Sequence, residues 1–129
     1  MPTSYRIDVR AGVVFSVLDG HITNEELLDH QQRMSSDPAF RRTMNHVIDT
    51  RGITGVSVTA LGLHLLTTRS NLGPEARRAI IEGDVSSSYV RMFQVLRSQS
   101  GADTRVFSSV EDAHRWLGLE WPPRDDVDS

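Results

Sequence analysis

Short apolar stretches typical of β-strands alternate with amphipathic helical stretches along most of this chain, and this alternation constrains the fold more than any other feature. Two predicted strands come first, in the ranges 5–10 and 13–18. Apolar and charged residues alternate in the first strand, whereas the second is almost entirely apolar. Ala11-Gly12 between them predicts a turn. We therefore expect the chain to open with a β-hairpin.

Three helix–strand units follow the hairpin, and one more helix closes the chain. Hydroxyl residues that can cap a helix stand at Thr23, Ser57, Ser86 to Ser88, and Ser109. Buried strands are predicted in the ranges 44–49, 77–82 and 104–107, and Gly52 and Gly55 predict a loop after the first of these. This order indicates an α/β domain with about five strands, in a mixed and mostly parallel sheet, and about four helices.

The length of 129 residues suits a single domain with one core. We assign residues 1–123 to this domain and residues 124–129 to a flexible acidic tail. No apolar run approaches the ~18 residues that a membrane-spanning helix needs, and no secretory signal is visible at the N-terminus. The sequence therefore predicts a cytoplasmic protein without a membrane span.

The composition removes several kinds of chemistry. The chain has no cysteine, which excludes disulfides, thiolate zinc sites and cysteine nucleophiles, and all fourteen basic residues are arginine. Without lysine there is no Walker-type phosphate loop, Schiff base or Ser-Lys dyad. The net charge of −3 argues against nucleic-acid binding. The arginine pairs Arg41-Arg42 and Arg77-Arg78 are interpreted as solvated flanks of strands.

Three local patterns, taken in this order, resemble the SpoIIAA-like family, which is related to the STAS domains of anti-sigma-factor antagonists and is sometimes grouped with CRAL-TRIO lipid-binding domains. They are Val17-Leu18-Asp19-Gly20-His21-Ile22-Thr23, then Val47-Ile48-Asp49-Thr50-Arg51, then Val106-Phe107 followed by Ala113-His114-Arg115-Trp116-Leu117. The resemblance implies a small mixed sheet wound with helices. It also implies a non-enzymatic regulatory or protein-interaction domain.

Phosphoregulated STAS domains carry an Asp-Ser-Ser/Thr-Gly motif at a helix start, shortly after a strand that ends in aspartate. With Asp49 as that strand end, the motif falls on residues 57–60 and places Val58 at the phosphoacceptor position. Because valine cannot be phosphorylated, the resemblance does not imply a kinase-driven switch in this chain. Phosphorylation of Ser57 or Thr59 stays open as a hypothesis, and a helix N-cap is the competing interpretation of Ser57.

Ligands of open α/β sheets gather outside the carboxyl ends of the parallel strands, where helix N-termini favour anions. The candidate ligand- or partner-binding residues are the polar residues predicted at this edge: His21, Asp49, Arg51, Ser57, Asp84 and Ser86. A local ion pair competes with a ligand role for Asp49 and Arg51, which stand two residues apart. A surface turn position competes with acid/base work for His21.

No catalytic residue, metal site or cofactor is predicted. The five histidines lack a His-x-x-x-His spacing, and there is no Gly-x-Ser-x-Gly elbow. Asp49 and Asp84 alone are too few ligands for a hard cation. An enzyme that uses Asp49 and His21 has no supporting motif, so we expect a protein without enzymatic activity.

Two kinds of partner remain open. Crossovers that advance in one direction place their helices on one face of the sheet, and Leu63, Met92 and Trp121 lie outside the predicted apolar stripes. These features predict a homodimer or another protein partner. The leucine-rich run 61–66 suggests the alternative, a small apolar or lipid-like ligand between the helix after Ser57 and the sheet. Core packing is the competing interpretation of that run.

Overall fold

The computed structural model describes residues 3–68, 76–98 and 103–120. Within these ranges the elements are β1 (Thr3–Asp8), β2 (Val13–Thr23), α1 (Asn24–Ser35), β3 (Asn45–Ser57), α2 (Ala60–Thr68), β4 (Arg77–Ile81), α3 (Ser87–Ser98), β5 (Asp103–Phe107) and α4 (Val110–Trp116). The strands form one sheet in the order β1-β2-β3-β4-β5. β1 is antiparallel to β2, and the other neighbouring strands are parallel. The predicted fold class is confirmed.

The sheet has two unlike faces. The connecting helices α1, α2 and α3 lie side by side on one of them, which we call the three-helix face. Leu18 and Ile22 of β2 pack there with Leu27 of α1. The closing helix α4 lies on the opposite face, the α4 face, where Ala113 and Leu117 pack against apolar residues of β2, β3 and β4. Both faces are therefore covered, as parallel strands prefer.

β2 and β3 are longer than predicted. The predicted ends at residues 18 and 49 are wrong, because β2 runs to Thr23, β3 runs to Ser57, and the two extensions pair in parallel. Gly52 and Gly55 lie inside this pairing and not in a loop. A Cβ at Gly55 would lie 2.7 Å from Nδ1 of His21, and one at Gly52 would clash with the Asp19 carboxylate. The two glycines therefore permit a close approach of the strands.

The predicted helix starts are confirmed at two of the junctions. Thr23 and Glu26 form a capping box, in which Glu26 N donates to Thr23 Oγ1 at 3.2 Å and Thr23 N donates to Glu26 Oε1 at 3.0 Å. Ser109 caps α4 by accepting from the backbone N–H of Asp112. Each cap satisfies a backbone N–H that the helix leaves without a partner.

The predicted start of α2 at Ser57 is wrong. Ser57 is the last residue of β3, and α2 begins at Ala60. The capping position belongs to Thr59, whose Oγ1 accepts from Gly62 N at 3.1 Å. The longer β3 therefore moves the helix start by three residues, which separates Ser57 from the helix N-terminus.

Some predictions lie outside the described residues, namely the helix stops at 71–74 and at Gly101, the position of Trp121, and the acidic tail 124–129. In the part of the chain that the structure describes, no helix is long and apolar enough to cross a membrane.

Candidate functional site

Asp49 and Arg51 form a local ion pair. The guanidinium of Arg51 donates from Nε to Asp49 Oδ1 at 3.0 Å and from Nη2 to Asp49 Oδ2 at 2.8 Å, and the backbone N–H of Arg51 also donates to Oδ1. The side-chain hydrogen bonds from Arg51, followed by its backbone hydrogen bond and its charge, lower the pKa of the Asp49 carboxyl. The pair is partly exposed, with Arg51 more open to water than Asp49. The ion pair therefore lies within β3, and it leaves the Arg51 side chain half exposed to solvent.

His21 and Ser57 meet on the paired extensions of β2 and β3. Nε2 of His21 lies 2.8 Å from Oγ of Ser57, and both side chains are exposed. Asp84 is an exposed turn residue between β4 and α3. Among the described residues no hydrogen bond or ion pair links His21, Ser57 or Asp84 to the Asp49–Arg51 pair. The predicted edge residues therefore do not join into one hydrogen-bonded cluster.

Ser86 is buried at the three-helix face. Its Oγ lies 2.8 Å from Thr50 Oγ1 and accepts from the backbone N–H of Gly83 at 2.9 Å. Thr50 Oγ1 in turn donates to the carbonyl of Ile81 at 2.6 Å. These bonds tie the end of β4 and the start of α3 to β3. Each hydroxyl in this group has a protein partner, so the group is satisfied without a ligand.

The order of the strands provides no switch point at the predicted edge. Ligand crevices of open α/β sheets arise at a switch point, where successive connections run in opposite directions from neighbouring strands. In this sheet the strand order follows the chain order from β1 to β5, so the direction never reverses. A cavity lies between the layers of the molecule instead.

A cavity of about 120 Å³ lies between the three-helix face of the sheet and α1, α2 and α3. Its wall is mostly apolar and includes Leu18, Ile22, Ile48, Ile53, Leu63, Leu66, Ile80, Val90 and Phe93. Leu63 was predicted to lie outside the apolar stripe of its helix, but it is buried and faces this cavity. Leu66 does the same, while Leu61 is exposed to water. The leucine-rich run therefore splits between the cavity and the surface.

Polar side chains also line the cavity, namely Gln31, Thr50, Ser86, Tyr89 and a polar group formed by His30, His46 and Arg78. His46 of β3 and Arg78 of β4 are direct partners across the two strands. His30 reaches the same region from α1, with its ring centroid 6.5 Å from that of His46. His46 Nε2 lies 2.7 Å from Ser16 Oγ. Buried atoms without a partner in the described structure include His30 Nε2, His46 Nδ1 and Arg78 Nε.

Burial and nearby positive charges lower the pKa of all three members of this polar group. Burial, together with the charges of Arg33 and Arg78, lowers the pKa of His30 to about 4. Burial, followed by the charge of Arg78, lowers the pKa of His46 well below its usual range. Burial and the charge of Arg97 lower the pKa of Arg78 to about 9, which still leaves the guanidinium protonated at neutral pH. No carboxylate is among the described residues that line the cavity.

The interpretation of Arg77-Arg78 as a solvated strand flank is wrong for Arg78, which is 4% exposed. The two arginines belong to β4 itself. Alternation along a strand places Arg78 on the same face as Ile80, and it places His46 on the same face as Ile48. That signal was present in the sequence and identifies both residues as inward-facing. His30 carries a similar signal, because its spacing from Leu27 and Met34 places it on the buried face of α1.

The described residues contain no group of three or more histidine or acidic side chains that could hold a metal ion. The sequence matches no family model, and no curated protein matches it. Among solved structures, the chain is similar to an uncharacterized protein of the DUF3478 family with a SpoIIAA-like fold from Shewanella loihica PV-4. The two are 22% identical with a TM-score of 0.61, and the match covers 89% of this chain and 93% of that chain. The likeness extends over nearly the whole domain.

Proposed function

We propose that this chain, a domain with a SpoIIAA-like fold, binds a small and mainly apolar molecule in the cavity beneath α1, α2 and α3. The observation that carries the proposal is the cavity itself. Protein interiors pack as densely as organic crystals, and voids larger than a water molecule are few. A space of about 120 Å³ is several times that size. Its mostly apolar wall also offers water few hydrogen-bond partners.

Binding without chemistry fits this site better than catalysis does. Ser16 and His46 lie within hydrogen-bond distance, which is the first requirement of a serine nucleophile and its base. A working base also needs a third group that orients it, yet Nδ1 of His46 has no partner among the described residues. Burial further lowers the pKa of His46, which makes it a weak base at neutral pH. We infer a non-enzymatic role.

Native mass spectrometry of the protein purified from its own cells tests the proposal. We expect a bound small molecule in the wild-type protein and its loss in the cavity-filling variant Val90→Phe, because Val90 lines the cavity. The matched control is Met92→Phe on the same helix, where the side chain is 45% exposed. A protein that carries no small molecule, or one that Val90→Phe retains, contradicts the proposal.

A second candidate function, protein interaction or homodimer formation, is favoured by the outer side of α3. Met92 and Val95 are exposed there by 45% and 58%, and Val85 in the turn before α3 is exposed by 45%. Contact with a partner would bury these apolar side chains. Sedimentation of the wild-type protein and of Met92→Glu tests this candidate, with Val9→Glu as the control at an exposed position in the turn after β1. A monomer in the wild type, or a dimer unchanged by Met92→Glu, contradicts homodimerisation through α3.

A further inference from the structure

The geometry of the cavity points to a ligand class: we infer that the molecule is a monocarboxylate with an apolar body, and that Arg78 holds its carboxylate beside His46 and His30. This inference rests on the proposed function, since it concerns the same cavity. It adds the charge, the orientation and the approximate size of the molecule.

The buried charge of Arg78 is the first observation that favours a carboxylate ligand. Its side chain is 4% exposed and its guanidinium carbon lies 5.2 Å from the centre of the Phe93 ring. No residue in the described ranges accepts a hydrogen bond from this guanidinium or forms an ion pair with it, and its Nε has no partner. Burying a cation without a counterion is costly. A carboxylate bound at this end of the cavity would supply that counterion.

The ring nitrogens near Arg78 that lack a described partner are the second observation that bears on the ligand. Among the described residues, the buried atoms His30 Nε2 and His46 Nδ1 have no partner, and both rings lie at the same polar group as Arg78. When the Ser16 hydroxyl donates to His46 Nε2, the proton of the neutral His46 ring lies on Nδ1. That N–H is then available to an acceptor. Arg78 and His46 thus offer donors, while no described side chain in the wall offers an anionic acceptor.

A carboxylate suits this site better than a phosphate does. A single guanidinium donates two parallel N–H bonds to a carboxylate, which matches both its geometry and its single charge. A phosphate dianion would bring more charge than Arg78, the one arginine in the described wall, can balance. The remaining wall is mostly apolar and takes the rest of the molecule. A volume of about 120 Å³ corresponds to a body about the size of benzene.

The test compares benzoate with its neutral isostere benzamide on the full-length protein. Binding is measured by calorimetry, and its location is measured by NMR shifts of the cavity methyl groups of Leu18 and Ile53. We expect benzoate to bind the wild-type protein at least about tenfold more tightly than benzamide, because hydrogen bonds to charged groups are the strong ones. Arg78→Met should remove this preference. The control Arg105→Met, at a half-exposed arginine on the α4 face, should keep it.

The outcomes separate the two claims. Equal binding of benzoate and benzamide at the cavity methyl groups overturns the carboxylate inference and leaves the proposed function standing. If neither benzoate nor benzamide binds, the carboxylate inference and the proposed function are both overturned. Benzoate binding that persists in Arg78→Met, or that leaves the cavity methyl groups unshifted, places the anion elsewhere and overturns the inference. The wild-type comparison decides between charged and neutral ligands even when Arg78→Met does not fold.

Discussion

Arg77 and Arg78 are neighbours in β4, yet their side chains lie on opposite faces of the sheet and in opposite surroundings. Arg77 lies on the α4 face, with its guanidinium carbon 5.0 Å from the centre of the Trp116 ring, and its Nη1 donates to the Trp116 carbonyl at 3.1 Å. Arg78 lies on the three-helix face above Phe93, with Arg97 as a charged neighbour and no described counterion. The two faces of the sheet therefore give neighbouring arginines different environments: Arg77 has a hydrogen-bond partner, whereas Arg78 is buried without a described counterion.

The α4 face repeats the pattern of Arg77. Arg6 lies 4.3 Å from the Phe15 ring centre, and Arg105 lies 5.0 Å from the Trp116 ring centre and 3.7 Å from Asp103. On this face arginine stems cover aromatic rings while each charge stays within reach of water. The three-helix face instead takes a charge and two imidazoles out of water, and one nitrogen of each side chain has no partner among the described residues. An arrangement that lowers stability is typical of functional sites.

Acid should weaken the three-helix face most. His30 and His46 are neutral in the folded protein because burial lowers the pKa of each, for His30 to about 4. Below about pH 6.5 the unfolded chain binds protons that the folded protein does not, so the free energy of unfolding falls as the pH falls. Each histidine should remove about 1.4 kcal/mol per pH unit, for His30 down to pH about 4.

Urea denaturation at about pH 7 and about pH 5 measures this loss. His30→Gln should reduce the pH dependence of the free energy of unfolding by the contribution of one histidine. The matched control is His21→Gln, at an exposed position. An identical dependence in the wild type and in His30→Gln would show that His30 does not contribute.

Substitution of the two β4 arginines should move stability in opposite directions. Arg78→Met removes a buried unpaired charge and keeps an apolar stem beside Phe93, so we expect the free energy of unfolding to rise by about 1 to 3 kcal/mol. Arg77→Met loses the bond to the Trp116 carbonyl and the ring contact, and it should lower that free energy by about 1 to 2 kcal/mol. Chemical denaturation of both variants without ligand measures the contrast. A loss of stability in Arg78→Met would mean that its charge is balanced inside the protein.

The Asp49–Arg51 pair should show the smallest effect. Its Arg51 side chain is half exposed, with a relative exposure of 53%, and exposed ion pairs contribute about 0 to 1 kcal/mol. Replacement of both residues by alanine should therefore change the free energy of unfolding by less than about 1 kcal/mol. Thermal unfolding at low and high salt measures this change. A large fall in melting temperature would assign the pair a structural role in the β3 extension.

Much of the fold could be predicted from local patterns. The alternation of strand and helix signals gave the element order, and the capping box at Thr23 fixed the start of α1. The end of β3 could not be read in the same way, because glycines mark both loops and close strand approaches. Only the positions of Asp19 and His21 across from Gly52 and Gly55 distinguish the two cases.

The candidate site was harder to predict than the fold. The rule for open sheets depends on strand order, which the sequence left open, and it led to edge residues such as Asp84. Arg78 and His46 carried a usable signal in the alternation along their strands. The cavity itself depends on how three helices pack together over one sheet, with Leu66 of α2 and Val90 of α3 facing the same space. No local pattern in a sequence encodes such an arrangement.

The agreement between strand order and chain order also bears on how the domain is assembled. Each strand from β2 onward pairs with the strand that precedes it in the chain, so every pairing closes a loop no longer than one connection. Short loop closures cost little entropy and favour rapid folding. During synthesis, β2 can pair with β1 before β3 has been made, and each later strand adds to an edge that is already present. The sheet can therefore grow one strand at a time as the chain leaves the ribosome.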